Sequence, residues 1–300
     1  MKQLRKRFIL FNMLVISCVI IVIALFFEFS GRSILSINRI SAILIGMVFV
    51  FIASLILSKA AIAPIKAAWK KQIDFSADAS HELRTPLSVI QSNLDVVLSN
   101  PAESVESQMK WLKNIEIENK RMSILVADLL LLSRADSDEA IININDFDLS
   151  SLIAETITAY NIAAKQKDIS VNASIENGIF FRGDADRTKQ LFIILLDNAI
   201  KYTDAGGKID IAISIGKNKI YLKISDTGIG IEQDEIDKIF HRFFRGKGSR
   251  QKNPDGCGMG LAIANLIAKE HGGNIAVNNQ VGEGSCFTVS LPYNSAAKMA

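Results

Sequence analysis

The chain is poor in cysteine and histidine. Its three cysteines, Cys18, Cys257 and Cys286, show no CxxC spacing. That excludes a disulfide framework and a zinc site of the usual ligand spacing. Three histidines, His81, His241 and His271, are too scattered for a metal cluster. Charge of one sign is also scarce. The net charge is +3, with no basic stripe outside the flanks of the apolar N-terminal runs, which excludes a nucleic-acid partner. Two nucleotide signatures are missing as well. There is no GxxxxGK[ST], and no GxGxxG with a downstream acidic partner follows a first strand. Without a disulfide framework the soluble part reads as cytoplasmic.

What is present is a mixed chain. Its 300 residues suggest roughly two domains. The mean hydropathy is positive although charged content is ordinary. No charge interrupts Phe8 to Phe27, 20 residues and about 30 Å of helix, enough to span a bilayer. A second charge-free run goes from Ile40 to Ser58. A cleavable signal peptide is the alternative for the first run, but the stretch is too long and no small-x-small site precedes Glu28. Lys2, Arg5, Lys6 and Arg7 precede the first run, and Lys59, Lys66, Lys70 and Lys71 follow the second. The loop between carries only Arg32 and Arg39 as basic residues. The expectation is a membrane region at 1–58, with helices at 8–27 and 40–58 and both termini cytoplasmic. The external loop 28–39 has 12 residues, too few for a folded sensor. A signal would then enter through the membrane, through a partner membrane protein such as a transporter, or from the cytoplasmic side.

A connector, 59–74, follows, with Pro64 placed to start or kink a helix. A helical pattern then runs from Ala67 to Leu98. Phe75, Ala79, Leu83, Leu87, Ile90, Leu94 and Val97 recur at spacings of three and four. His81 lies off that stripe with Thr85 and is expected to be exposed. Asn100-Pro101 breaks the helix and is expected to cap and open the next one. That helix runs to about Arg134, with Ile115, Met122, Leu125, Leu129 and Leu132 as its seam. Two such helices bury little alone, whereas two copies make a four-helix bundle, so a homodimer over 75–135 is inferred.

A polar linker, 136–149, leads to a second domain at 150–293 and a tail at 294–300. Ile209 to Ile215 and Lys219 to Ser225 read as a hairpin around Gly216-Lys217-Asn218. Asn274 to Val277 and Cys286 to Leu291 read as strands. Ser150 to Lys165, Asp186 to Tyr202 and Leu261 to His271 read as helices. The fold class is α+β, and this domain is an α/β sandwich with a mixed sheet covered on one side by helices.

Four strings carry the chemistry. Ser80-His81-Glu82-Leu83-Arg84-Thr85-Pro86-Leu87 sets a histidine beside a carboxylate that can hold one ring N–H and free the other nitrogen for attack. Asp197-Asn198-Ala199-Ile200-Lys201-Tyr202 ends a helix. Asp226-Thr227-Gly228-Ile229-Gly230 follows a strand; its carboxylate can accept the exocyclic N–H of adenine. Gly256-Cys257-Gly258-Met259-Gly260-Leu261 opens a helix, where free backbone N–H groups bind phosphate. The third of these could alone be a tight turn, and the fourth is weak evidence by itself. Between the last two, Ile231 to Asp255 reads as a mobile loop docked by Phe240, Phe243 and Phe244.

In chain order, and with Phe240-His241-Arg242-Phe243-Phe244-Arg245-Gly246 of the loop, the four strings resemble the H-box, N-box, DxGxG, F-box and glycine-rich motifs of membrane-bound sensor histidine kinases, over roughly Phe75 to Leu291. The family often has Asn where Ile194 stands and Leu where Met259 stands. The resemblance implies a GHKL-type ATP domain, ATP and Mg²⁺ as ligands, and the loop as the ATP lid. It implies His81 as phosphoacceptor, Glu82 as base or orienter, and Thr85 as the residue serving phosphatase action. It implies Asn198 as the Mg²⁺ ligand. Lys201, Tyr202, Asp226, Gly228, Gly230, Arg242, Arg245, Gly256, Gly258, Gly260 and Leu261 would surround the nucleotide. The implied partners are a second copy and a cytoplasmic response regulator, whose aspartate would take the phosphoryl group. A stand-alone GHKL ATPase leaves the H-box unexplained, and a silent membrane scaffold predicts degraded motifs where these are intact.

Overall fold

A computed structural model describes residues 16, 21, 37–135, 142–253 and 256–293. The chain divides into two compact units, Met1–Asp78 and Ala79–Ala300. The first run expected to span a membrane, 8–27, lies outside the described residues apart from Ile16 and Ile21. The second falls in helix α1 (Ile37–Ser99). Among the described residues no helix is long and apolar enough to cross a membrane, so the two-span expectation finds no support there. The loop 28–36, the stretch 136–141 and the tail 294–300 also lie outside them.

In the second unit, α1 ends at Ser99 and α2 runs Val105–Ala135. The break differs from the expected one. Asn100 does not cap α2; its side chain donates to the Val96 carbonyl at 2.8 Å and closes α1. Gln108 donates to the Asn100 carbonyl at 2.7 Å, satisfying another orphan group of that helix end. Ser104 is the cap of α2, its hydroxyl accepting from the Ser107 N–H at 3.3 Å. The turn residue Pro101 therefore precedes α2 rather than opening it. A polar clamp links the two helices: Asn114 donates to Asn93 at 3.2 Å, and Asn93 is buried. Of the expected seam, Leu125 and Leu132 are buried, whereas Leu87 is 56% exposed and Leu94 37%.

The rest of the unit is a layer of helices on a five-stranded sheet. Its strands are β2 (Ser170–Ile175), β4 (Lys208–Gly216), β5 (Lys219–Asp226), β6 (Asn274–Gln280) and β7 (Gly284–Pro292), in the order β2-β4-β5-β7-β6. Only the β2–β4 pairing is parallel, so the sheet is mixed as read from sequence. The β4–β5 hairpin turns on Lys217 and Asn218, both with positive φ, the two-residue geometry that matches strand twist. A separate antiparallel pair joins β1 (Asn145–Asp148) to β3 (Phe180–Gly183). Three helices cover the sheet: α3 (Leu149–Gln166), α4 (Ala185–Tyr202) and α6 (Gly260–Glu270).

Two periodicities place the chemistry. Along β5 the inward row is Ile220, Leu222, Ile224 and then Asp226, so a carboxylate ends a buried hydrophobic row. Along α4 the core face is Leu191, Phe192, Leu195, Leu196, Ala199 and Ile200. Asp197, Asn198 and Lys201 are left on the other face. His271 is a satisfied structural histidine. Its Nε2 accepts from the Asp184 N–H at 2.9 Å and its Nδ1 meets the Ile267 carbonyl at 2.8 Å.

The expected mobile loop is largely structured. It forms turns from Ile231 and a short helix α5 (Lys247–Lys252), with residues 254 and 255 outside the described set. Glu235 explains the order. It is buried, and its carboxylate accepts from the Lys247 N–H at 3.1 Å, capping α5. Phe240, Phe243 and Phe244 pack on the core, as their apolar character implies.

Candidate nucleotide and phosphoacceptor site

A cavity of about 770 Å³ opens between α4, the lid, the glycine loop and the helical hairpin. That volume lies within the range of small-molecule and cofactor sites. Its wall includes Glu82, Asn198, Lys201, Tyr202, Asp226, Gly230, Arg245, Gly256, Gly258, Gly260 and Leu261. His81, Thr85, Gly228 and Arg242 are not in it.

Asp226 is the best defined of these. It is buried, and both oxygens are held: Oδ1 accepts from the Gly228 N–H at 2.8 Å and Oδ2 from the Ser285 hydroxyl at 2.6 Å. The β5–β7 register sets Ser285 directly opposite Asp226. Ser285 was not singled out from sequence, because the pairing of distant strands is not local information. Gly228 is required here. A Cβ would come 2.5 Å from the Tyr202 carbonyl and 2.7 Å from Asp226 Oδ1.

The glycine loop ends at the N-terminus of α6, whose N-cap, Met259, provides no side-chain acceptor. The first-turn N–H groups are therefore open to an anion. Gly258 has φ +72°, and a Cβ there would meet the Phe244 carbonyl at 2.7 Å. The side chain of Met259 is fully buried, so the residue replacing the family's leucine is a packing residue.

On α4 the Asn198 carboxamide makes no hydrogen bond to another described residue and lines the cavity. Lys201 is 2.5 Å from Asp197, both about half exposed. An amide oxygen without a partner beside open phosphate-binding N–H groups fits Mg²⁺, which takes few protein ligands and keeps water and phosphate oxygens. Tyr202 also anchors the lid, its hydroxyl bonding that of Ser249 at 2.9 Å. Lys252 adds a bond of 2.8 Å to the Tyr202 carbonyl and an ion pair of 2.6 Å with Asp204. The lid helix is thereby fastened to the end of α4. Arg245 lines the cavity and donates to the Asn253 carbonyl. Arg242, expected as a phosphate contact, does not line the cavity. It donates to the Leu132 carbonyl of α2 at 3.3 Å and ties the lid to the hairpin.

On the hairpin side, His81 is exposed and its ring makes no hydrogen bond to another described residue. Glu82 does not hold that ring. Adjacent helical residues project about 100° apart, and Glu82 faces the cavity instead. The Thr85 hydroxyl lies 3.5 Å from the His81 carbonyl. Pro86 is buried and lacks an N–H, so the Glu82 carbonyl loses its helical partner.

Asp128 of α2 shares the cavity wall with Glu82, and burial pushes its carboxyl up from 3.8 to about 6. Burial likewise raises the Cys257 thiol, which also feels the charges of Asp128 and Glu82. Because the folded state disfavours ionised Asp128, its penalty is absent below pH 3.8 and complete above about 6. Asp128→Asn removes it. Urea unfolding is expected to show the variant more stable by about 1 kcal/mol at pH 7.5, discounted for the half-exposed side chain, with the gap narrowing towards pH 4.5. An equal gap at both pH values would remove the ionisation argument.

Comparison with known proteins completes the site. Residues 71–138 match the His Kinase A (phospho-acceptor) domain, and residues 183–295 match the histidine kinase-, DNA gyrase B- and HSP90-like ATPase family. Sensor histidine kinase RppB of Synechocystis sp. is 33% identical over 236 residues, covering 78% of this chain and 52% of the relative. The solved Acinetobacter baumannii histidine kinase AdeS has a TM-score of 0.58 at 28% identity, covering 72% of this chain and 98% of AdeS. Histidine kinase ThkA, solved in complex with response regulator protein TrrA, has a TM-score of 0.58 at 22% identity. It covers 78% of this chain and 65% of that one and supports the fold alone. The chain spans about half the length of the curated relatives it matches. An acceptor hairpin and an ATPase fold, meeting at one cavity in a chain one-third identical to such a kinase, place it in the sensor histidine kinase family.

Proposed function

We propose that the chain is a protein-histidine kinase that transfers the γ-phosphoryl group of ATP to His81 and then to an aspartate of a response regulator. The carrying observation is that Glu82, next to His81, shares one cavity with Asn198, Asp226 and the glycine loop. In the transfer, the bare nitrogen of the neutral ring forms the N–P bond as the bond between Pγ and the bridging oxygen breaks. That electron pair leaves with ADP. Such chemistry needs positioning and charge neutralisation more than covalent help from the protein. Asp226 orients adenine, and the α6 N-terminus and Lys201 hold phosphate oxygens. Asn198 would hold Mg²⁺, which supplies charge neutralisation at the phosphates. Glu82, one residue from His81 and facing the cavity, would take the remaining ring proton through a bridging water or after a change of its own rotamer.

Several finer points belong to the same reading. Exposed Leu87 and Leu94 on α1, with Met109 and Leu130 on α2, support a homodimer through the hairpin. Membership of the sensor histidine kinase family supports a response regulator as partner. Thr85 beside His81 would serve phosphatase action on the regulator. The charge-free runs 8–27 and 40–58, and exposed Val48, Phe51, Ile52 and Ile56, support a membrane anchor with both termini cytoplasmic. The signal would then reach α1 through the bilayer or a partner membrane protein.

The test is direct. The full chain with γ-labelled ATP is expected to acquire label that is lost in acid and kept in base. Base-labile, acid-stable label would identify a different acceptor and overturn the reading.

A further inference from the structure

The cavity is walled on its hairpin side by the same chain that supplies its nucleotide motifs. Glu82 comes from α1, and Arg121 and Asp128 from α2. The docking is not a grazing contact. Leu125 and Leu132 of α2 are buried in one hydrophobic core with Ile263 and Ile267 of α6. Arg242 of the lid is bonded to the Leu132 carbonyl. Cys257 of the glycine loop lines the same cavity as Glu82, and the Cys257 thiol feels the Glu82 charge. The phosphate-binding loop therefore faces the chain's own histidine turn.

His81 and Glu82 are consecutive on α1. They differ by about 1.5 Å of rise and about 100° about the helix axis. A rolling shift of the ATP domain around its own α1 brings the cavity from one to the other at the same level. Reaching a second copy's His81 would instead take the ATP domain off its own hairpin altogether.

We propose that autophosphorylation is intramolecular: within a dimer, each ATP domain phosphorylates the His81 of its own chain. This rests on the kinase reading above and fixes which histidine its cavity serves.

Glu82 and Cys257 line one cavity, which supplies a test that needs no ATP chemistry. Glu82→Cys is made in the full chain with Cys18→Ser and Cys286→Ser, leaving Cys257 as the only other thiol. Mild oxidation is expected to join the two within one chain. Peptide mass spectrometry would identify the bond, and a non-reducing gel would show no covalent dimer dependent on Cys257. A covalent dimer abolished by Cys257→Ser would place the cavity against the other copy and overturn the proposal, as would no bond at all.

A mixed dimer gives an independent reading. His81→Gln chains, able to bind ATP, are combined with Asn198→Ala chains that keep the acceptor, and pairs are isolated through two tags. The expected result is label no higher than in either parent alone. Excess label on the Asn198→Ala chain would overturn the intramolecular route. Loss of all label in the unaltered protein would instead count against the kinase reading, while the cross-link still reports the docking.

Discussion

His81→Gln is expected to reduce phosphate incorporation from ATP to background, at least about 10³-fold, with nucleotide affinity unchanged. A carboxamide nitrogen has no available lone pair, so the variant has size and polarity without nucleophilicity. The position isolates the chemistry. His81 is exposed, does not line the cavity, and its ring makes no hydrogen bond to another described residue. The substitution therefore removes no packing, and its stability cost is expected within about 0.5 kcal/mol. Labelled-ATP incorporation and nucleotide binding, measured on the same preparation, check both halves. Label persisting on the variant would remove His81 as the acceptor.

Asp226→Ala is expected to weaken ATP binding by about 10- to 100-fold, the scale of one lost hydrogen bond to a charged group. The variant also leaves the Ser285 hydroxyl and the Gly228 N–H without their acceptor in a buried place. Asp226→Asn separates the two effects. It keeps the shape, but its NH₂ would face the Gly228 N–H or the adenine amine, both donors, or force the Ser285 hydroxyl to turn and accept. Both variants should lose affinity for ATP more than for GTP, because guanine lacks that amine. Calorimetric titration with each nucleotide decides it. An equal loss for both would mean that the residue shapes the pocket without reading the base.

The strands and helices with strong periodicity were legible in the sequence. Ile220, Leu222 and Ile224 alternate because one face of the sheet is buried, and that alternation marks β5 and carries Asp226 inward. Short elements were not. β1, β2 and β3 hold few apolar residues and exist through pairing with partners distant in the chain. α5 forms because Glu235, outside that helix, caps it. In the site, residues in contiguous strings were visible, whereas Ser285 and Asp128 reach it through strand register and helix docking. Arg242 shows the converse limit. A basic residue beside a nucleotide motif looks like a phosphate ligand, and only the fold reveals that the Leu132 carbonyl engages it.

The fastening of α5 to the end of α4 bears on timing. Tyr202 with Ser249, and Lys252 with Asp204, join the lid to the helix by polar bonds that water can replace. The aromatic residues at its base stay in the core. Opening therefore swings the tip while the root holds, a motion of the microsecond to millisecond class. In the proposed kinase ADP would depart through that swing, and these bonds would set its rate. A substitution at Ser249 or Lys252 is expected to change how long each spent nucleotide lingers.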